Sequence, residues 1–122
     1  MEPLLVMQTA TGLLVITALG GLAMAGIRFA GNTNPPSWLA MLHGFLAGAA
    51  VTLLLYAALT VGLPRIAVWA LVLFLLAAAG GVFMNLGYQL KNLPLPKAVV
   101  IAHAVIAIVG FLLLLSATLS RS

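Results

Sequence analysis

The distribution of polar residues divides the chain into four long apolar segments, at about Leu4–Ala30, Trp38–Val61, Ile66–Leu90 and Lys97–Leu119. Each segment exceeds the roughly 20 residues that an α-helix needs to cross the hydrocarbon core of a bilayer. All are too long for the strands of a membrane barrel, which leaves the helix as the spanning structure. Short breaks that contain Pro, Gly, Asn or basic residues separate the segments. The pattern therefore predicts four transmembrane helices.

Connections of this length join antiparallel neighbours, so we expect an all-α membrane protein, a single four-helix domain with up-down-up-down topology. Composition agrees, since 65% of the residues are hydrophobic, 5% are charged and the mean hydropathy is +1.30. The first and third connections share one face with Arg28, Lys91 and Lys97, while Arg65 and Arg121 belong to the other. This difference in basic residues predicts that the first face is cytoplasmic, in what we expect to be a bacterial inner membrane.

The two halves of the chain, about 1–60 and 61–122, are predicted to be tandem copies of one two-helix unit. Sliding the sequence against itself by 60 residues, without a gap, superimposes several uncommon residues. The matched pairs are Gly20 with Gly80, Gly21 with Gly81, Met24 with Met84, Asn32 with Asn92, Pro36 with Pro96 and His43 with His103. Because each copy contributes two crossings, the copies have the same orientation and an approximate two-fold axis along the membrane normal relates them. Equivalent residues are therefore predicted to lie at equal depth.

His43 and His103 are the only histidines in the chain, and each follows a helix-starting proline by seven residues. At a rise of about 1.5 Å per residue, both lie about 10 Å below the same membrane face. An ionisable side chain at that depth is costly, so it faces the bundle interior and finds a partner there. The approximate two-fold axis predicts a common partner between the two imidazoles.

Residues with little or no side chain are predicted to surround this histidine pair. They are Gly20 and Gly21 on the first helix, Gly80 and Gly81 on the third, and Ala47 and Ala107 one turn beyond the histidines. Glycine permits close approach of a backbone, which suits either tight helix packing or a bulky, flat ligand.

A planar cofactor with two open axial positions fits two imidazoles on opposite helices at one depth. We therefore predict one non-covalent haem b with His43 and His103 as its iron ligands. Covalent attachment is excluded because the chain has no Cys. The propionates are expected to point to the near face, where Arg28, Lys91 and Lys97 are available.

In its four apolar helices and its two transmembrane histidines, the chain resembles the four-helix membrane b-type cytochromes, such as the bacterial cytochrome b561-like proteins. The resemblance implies haem ligation by His43 and His103 and a role in electron transfer. Those families carry more histidines and two haems, whereas this chain has ligands for one haem at most. One haem near one face does not span the bilayer, so we expect a relay between quinone and a partner redox protein.

Composition excludes most other chemistry. Glu2 is the single carboxylate and no Cys is present, so paired-carboxylate catalysis, a Ser-His-Asp triad and a thiolate metal site are all impossible. The net charge of +4 comes from scattered Lys and Arg rather than from a basic run, which predicts no nucleic-acid partner. An electron carrier or a subunit is therefore favoured over a stand-alone catalyst, and no catalytic residue is predicted.

Two other functions fit the same residues. In the second hypothesis the chain is a non-catalytic accessory or assembly subunit of a larger membrane complex, and its histidines merely bridge helices. In the third it is a small copper-handling protein or transporter that uses the histidines together with Met24 and Met84, because imidazole and thioether suit copper. Besides the lipid bilayer, the expected partner is another membrane protein or a second copy of the chain.

Overall fold

The computed structural model describes residues 2–121, and within them the chain forms four long α-helices. Helix α1 spans Pro3–Ala30, α2 spans Ser37–Leu59, α3 spans Arg65–Met84 and α4 spans Lys97–Ser120. A π-helical segment, Asn85–Gln89, extends α3. With this extension every helix agrees with its predicted segment to within two residues at each end, so the prediction of four helices is confirmed.

Proline and glycine set the boundaries of these helices. Prolines stand at the first position of α1 and at the residue before α2, α3 and α4, where the fixed φ of proline suits a helix start and its missing N–H is no loss. Helix α2 ends where Gly62 takes a left-handed φ of 88° and its N–H donates to the carbonyl of Ala57 at 2.8 Å. The sharp reversal into α3 therefore depends on a residue without a side chain.

The helices pack as two hairpins. Helix α1 makes its most extensive contacts with α2, and α3 with α4, while smaller contacts join α1 to α4 and α2 to α3. Burial follows the 60-residue repeat, because both members of many equivalent pairs are buried. These pairs are Ala10 and Ala70, Leu14 and Phe74, Thr17 and Ala77, Ala50 and Gly110, Leu54 and Leu114, and Ala57 and Ala117. The up-down-up-down bundle of two tandem two-helix repeats is thus confirmed.

The outer surface of the bundle is apolar. Large side chains such as Leu22, Phe45 and Leu59 are exposed, and each of the four helices is long and apolar enough to cross a membrane. A soluble monomer rarely exposes so much contiguous apolar surface, whereas lipid tails are a matching solvent for it. The chain is an integral membrane protein with four transmembrane helices.

The tightly packed core occupies one half of the bundle, which we call the core half. Its buried residues are Val6, Met7, Ala10 and Leu14 on α1, Ala50, Leu54 and Ala57 on α2, Ala67, Ala70, Leu71 and Phe74 on α3, and Leu114 and Ala117 on α4. They belong to the first part of α1 and α3 and to the last part of α2 and α4, so the core lies beside the connection between α2 and α3.

The opposite half, which we call the histidine half, is packed more loosely. Between Leu14 and Arg28, α1 buries only Thr17, and neither α2 before Ala50 nor α4 before Gly110 buries any residue. This half contains the histidines and ends at the connections between α1 and α2 and between α3 and α4.

Candidate functional site

The two histidines lie close together in the histidine half. His43 on α2 and His103 on α4 are partly buried, with ring centroids 6.3 Å apart and ring planes inclined at 62°. Each is the seventh residue of its helix, which puts both near the same membrane face. The structure therefore agrees with the prediction that the repeat brings the two imidazoles together at one depth.

Each imidazole packs against a glycine of its own repeat. A methyl group added at Gly21 on α1 would approach Cε1 of His43 to 2.9 Å, and one added at Gly81 on α3 would approach Cε1 of His103 to 3.4 Å. Real Cβ atoms essentially never approach to the first of these distances, so the His43 ring would have to move. These glycines are explained by the rings themselves, which occupy the space that a side chain would need.

The other two predicted glycines contribute less. A methyl group at Gly80 would meet Nδ1 of His103 at 3.7 Å, an ordinary contact, whereas one at Gly20 would meet nothing within 4 Å. An added methyl group thus meets an imidazole closely at Gly21 and Gly81, at an ordinary distance at Gly80, and not at all at Gly20. Glycines at 20 and 21 look alike in sequence, but a helix turns 100° per residue, so they face different directions.

One histidine is oriented by a backbone carbonyl. Nδ1–H of His43 donates to the carbonyl of Thr17, one turn before Gly21 on α1, at 2.8 Å. Because a carbonyl only accepts, this bond places the proton of the neutral ring on Nδ1 and leaves the lone pair on Nε2. Sequence reasoning missed Thr17, since the group that acts is its main chain and any residue type supplies it.

The second histidine lacks the corresponding bond. Ala77 is the equivalent of Thr17 in the second repeat, and its backbone interacts electrostatically with the His103 ring. The geometry nevertheless falls short of a hydrogen bond, and Nδ1 of His103 is buried without a partner. A buried polar atom without a partner costs about 1–3 kcal/mol. A movement of the ring that formed the missing hydrogen bond would therefore be favourable.

Both Nε2 atoms remain available for a ligand. In the part of the chain that the structure describes, neither makes a hydrogen bond and neither is sealed inside protein. No group of three or more His, Cys, Asp or Glu residues is assembled there or elsewhere in residues 2–121. Among those residue types, the two imidazoles are therefore the side chains at this site that could bind a metal.

The walls of the site are small or apolar. Ala47 on α2 and Ala107 on α4 follow the histidines by one turn and are partly buried, and Met84 on α3 is buried. The equivalent Met24 on α1 is only partly buried. That the two alanines border a ligand stays a prediction.

The three basic residues predicted to receive propionates differ in environment. Arg28 is buried, with only 8% of its surface exposed, and its guanidinium donates to the carbonyls of Leu95 at 2.9 Å and Gly31 at 3.2 Å. Lys91 and Lys97 are exposed, and the Lys97 ammonium lies 5.6 Å from the centre of the Phe29 ring. Arg28 thus contacts the connection that precedes α4, and Lys97 at the start of α4 contacts the ring of the residue after Arg28.

Polar side chains link the two connections above the histidines. The amide of Asn34 donates to the carbonyl of Leu93 at 2.6 Å and accepts from the N–H of Leu95 at 2.9 Å. Buried Gln89 donates to the carbonyl of Pro35 at 2.7 Å. These bonds enclose part of a polar cavity of about 370 Å³ between the connections. The sequence marked Asn34 and Pro35 only as part of a break between helices, and Gln89 only as a residue at the end of the third apolar segment.

Comparison of the chain with protein-family models, with curated proteins and with solved structures gives no match. The histidine pair is therefore the feature of the chain that indicates a function.

Proposed function

We propose that the protein is a membrane b-type cytochrome that holds one haem between His43 and His103 and relays electrons between quinone and a partner redox protein. The observation that carries the proposal is the 6.3 Å separation of the two ring centroids. A metal bound by two opposed imidazoles through bonds of about 2 Å brings the ring centroids to about 6 Å. The separation therefore needs little adjustment to accept one metal.

The hydrogen bonding of the pair supports the same function. Metal-binding histidines generally donate the other ring N–H to a carbonyl or carboxylate, which fixes the ring and its tautomer. His43 has this arrangement with Thr17, and its Nε2 is free. Nδ1 of His103 is buried beside the equivalent backbone without a partner, and a rotation of the ring would give it the same bond.

His43 and His103 would together hold the haem, and the chemistry that it would supply is one-electron transfer. The chain's own contribution is to orient the imidazoles, to exclude water by lipid and apolar walls, and to place the pair nearer to one membrane face. A single site in that place suits exchange with a lipid-soluble carrier or a neighbouring subunit.

Absorption spectroscopy tests the haem directly. Protein produced with ample haem and purified in mild detergent is expected to show a reduced-minus-oxidised α band with one haem per chain. His43→Ala and His103→Ala are each expected to abolish the band, because each removes one of the two side chains that would hold the haem. Met41→Ala and Ile101→Ala are matched controls, since they are exposed, equivalent in the two repeats and two residues before the histidines. A colourless wild type, or a band that survives both histidine variants, contradicts the proposal.

The electron partner is tested separately. Reduced protein in proteoliposomes is expected to be oxidised by a short-chain quinone analogue, with the decay of the α band as the readout. If the band is present but no quinone analogue reacts from either side, the quinone part of the proposal is wrong and the haem part stands.

The packing of the rings against Gly21 and Gly81 also favours a second candidate, an accessory subunit in which the histidines join α1 to α2 and α3 to α4. In this case wild-type protein is colourless, both histidine variants are less stable, and copurification of a membrane partner or a second copy is unchanged. Metal analysis that finds copper without haem favours a copper-handling role instead.

We also propose that the protein lies in a bacterial inner membrane with the Arg28 face in the cytoplasm. The chain has no Cys, so single cysteines report on sidedness without background. Thr33→Cys in the first connection is expected to react with an impermeant maleimide only after the membrane is opened, and Val61→Cys in the second connection before it. The reverse pattern inverts the orientation.

A further inference from the structure

Arg28 carries a buried positive charge that no acidic residue compensates. The only carboxylate side chain, Glu2, lies before the first residue of α1, whereas Arg28 is in the last turn of that helix. At about 1.5 Å per residue, this separation is about 39 Å. Burying an ion without a counter-charge costs several kcal/mol, and hydrogen bonds to neutral carbonyls offset only part of that cost. An anion from outside the described chain would offset the rest of that cost.

The guanidinium also has a donor to spare. Nε donates to Leu95 and Nη1 to Gly31, but Nη2 makes no hydrogen bond among residues 2–121 and is not sealed from its surroundings. A guanidinium with two donors fixed by backbone is rigid, so little side-chain entropy is lost when the remaining N–H groups bind. The two hydrogen bonds to the backbone therefore fix the Arg28 side chain in a position that suits ligand binding.

A second cation and a helix start lie beside it. The carbonyl that holds Arg28 belongs to Leu95, and Lys97, two residues later, is the first residue of α4. The Lys97 ammonium is 5.6 Å from the ring centre of Phe29, the neighbour of Arg28. The first N–H groups of a helix have no intrahelical acceptor and favour negative charge. Arg28, Lys97 and this helix start thus combine at the membrane face.

We propose that Arg28 and Lys97 form a binding site for the phosphate of an anionic phospholipid headgroup. The site lies at the end of a transmembrane helix, at the depth where lipid phosphates are found. Basic pockets between transmembrane helices are suited to such headgroups, and each Lys or Arg near the surface contributes about 1 kcal/mol of attraction. The equivalent positions in the other repeat are Tyr88 and Ser37, so one such site is expected per chain.

The test is lipid retention measured by native mass spectrometry after reconstitution with equal amounts of phosphatidylglycerol and phosphatidylcholine. Wild-type protein is expected to retain one phosphatidylglycerol. Arg28→Gln is expected to lower retention about tenfold and Lys97→Gln about fivefold, while Arg65→Gln, the same charge change at the opposite face, leaves it unchanged. If Arg28→Gln and Arg65→Gln behave alike, there is no site.

Further variants identify the source of the anion and guard against misfolding. Arg28→Lys keeps the charge and is expected to retain more lipid than Arg28→Gln; equal loss contradicts the proposal. The double variant with His43→Ala and His103→Ala is expected to retain the lipid as well as the wild type does. If retention changes with haem content, Arg28 binds a propionate; if millimolar inorganic phosphate displaces the lipid fully, the site takes soluble anions. Either result overturns the assignment to lipid. The comparison of Arg28→Gln with Arg65→Gln tests the lipid site in protein without haem, so its outcome does not depend on whether the chain is a cytochrome.

Discussion

The core half and the histidine half use the same helices for different purposes. In the core half, apolar side chains from all four helices, mostly leucine and alanine, pack against one another and are buried. In the histidine half, α2 and α4 bury no residue. The imidazole rings pack against glycines, and Nε2 of each ring makes no hydrogen bond among the described residues. Close packing at one end holds the helices together, whereas the other end is packed less tightly around its two imidazoles.

The largest expected effect breaks the core half. Leu54→Ala removes a fully buried side chain from the centre of that half and is expected to lower the free energy of unfolding by about 2–5 kcal/mol. Unfolding in mixed detergent micelles, followed by circular dichroism, measures it. Leu55→Ala is the matched control, because its side chain is 40% exposed, and it is expected to cost less than half as much. Equal costs would contradict the assignment of the core to this end.

A smaller effect is expected from filling the space beside Gly21 that the His43 ring occupies. Gly21→Ala places a methyl group 2.9 Å from Cε1 of His43, which forces the ring aside and is expected to destabilise the protein by about 1–3 kcal/mol. The displaced ring also loses its bond to Thr17, so haem content in the spectroscopic assay is expected to fall.

Its control is the neighbouring glycine. Gly20→Ala meets nothing within 4 Å and is expected to be neutral or stabilising by up to about 1 kcal/mol, the ordinary gain of alanine over glycine in a helix. Gly81→Ala is expected to fall between the two, given its 3.4 Å approach to His103. If Gly20→Ala and Gly21→Ala change the free energy of unfolding equally, the His43 ring does not pack against Gly21.

The smallest expected effect is the difference in stability between the two histidine variants. In protein without haem, His43→Ala removes a hydrogen bond, whereas His103→Ala removes a ring whose Nδ1 already lacks one. We expect His43→Ala to cost about 1 kcal/mol more in free energy of unfolding, measured in the same micelles. Binding of haem is expected to stabilise the wild type and neither variant. A larger cost for His103→Ala would contradict the hydrogen-bond asymmetry.

Most of the architecture was predictable because membrane folding is constrained by few rules. Apolar runs of more than 20 residues must be helices, and short connections must make them antiparallel. The repeat then predicted equal depth for His43 and His103, and both rings were found close together. The roles of Gly20 and Gly21 were not predictable, because a dipeptide of glycines does not indicate which of the two faces its neighbour.

The sequence by itself determined the number, length and order of the helices and the pairing of the repeats, since these follow from solvent preference and chain length. Only the tertiary structure decided that the core occupies one end, that Thr17 orients His43 through its carbonyl, and that Arg28 is buried without a counter-charge. Those features depend on the rotation of each helix about its axis and on main-chain groups. Helices that are apolar on every side carry no pattern that fixes this rotation, so close packing must decide it.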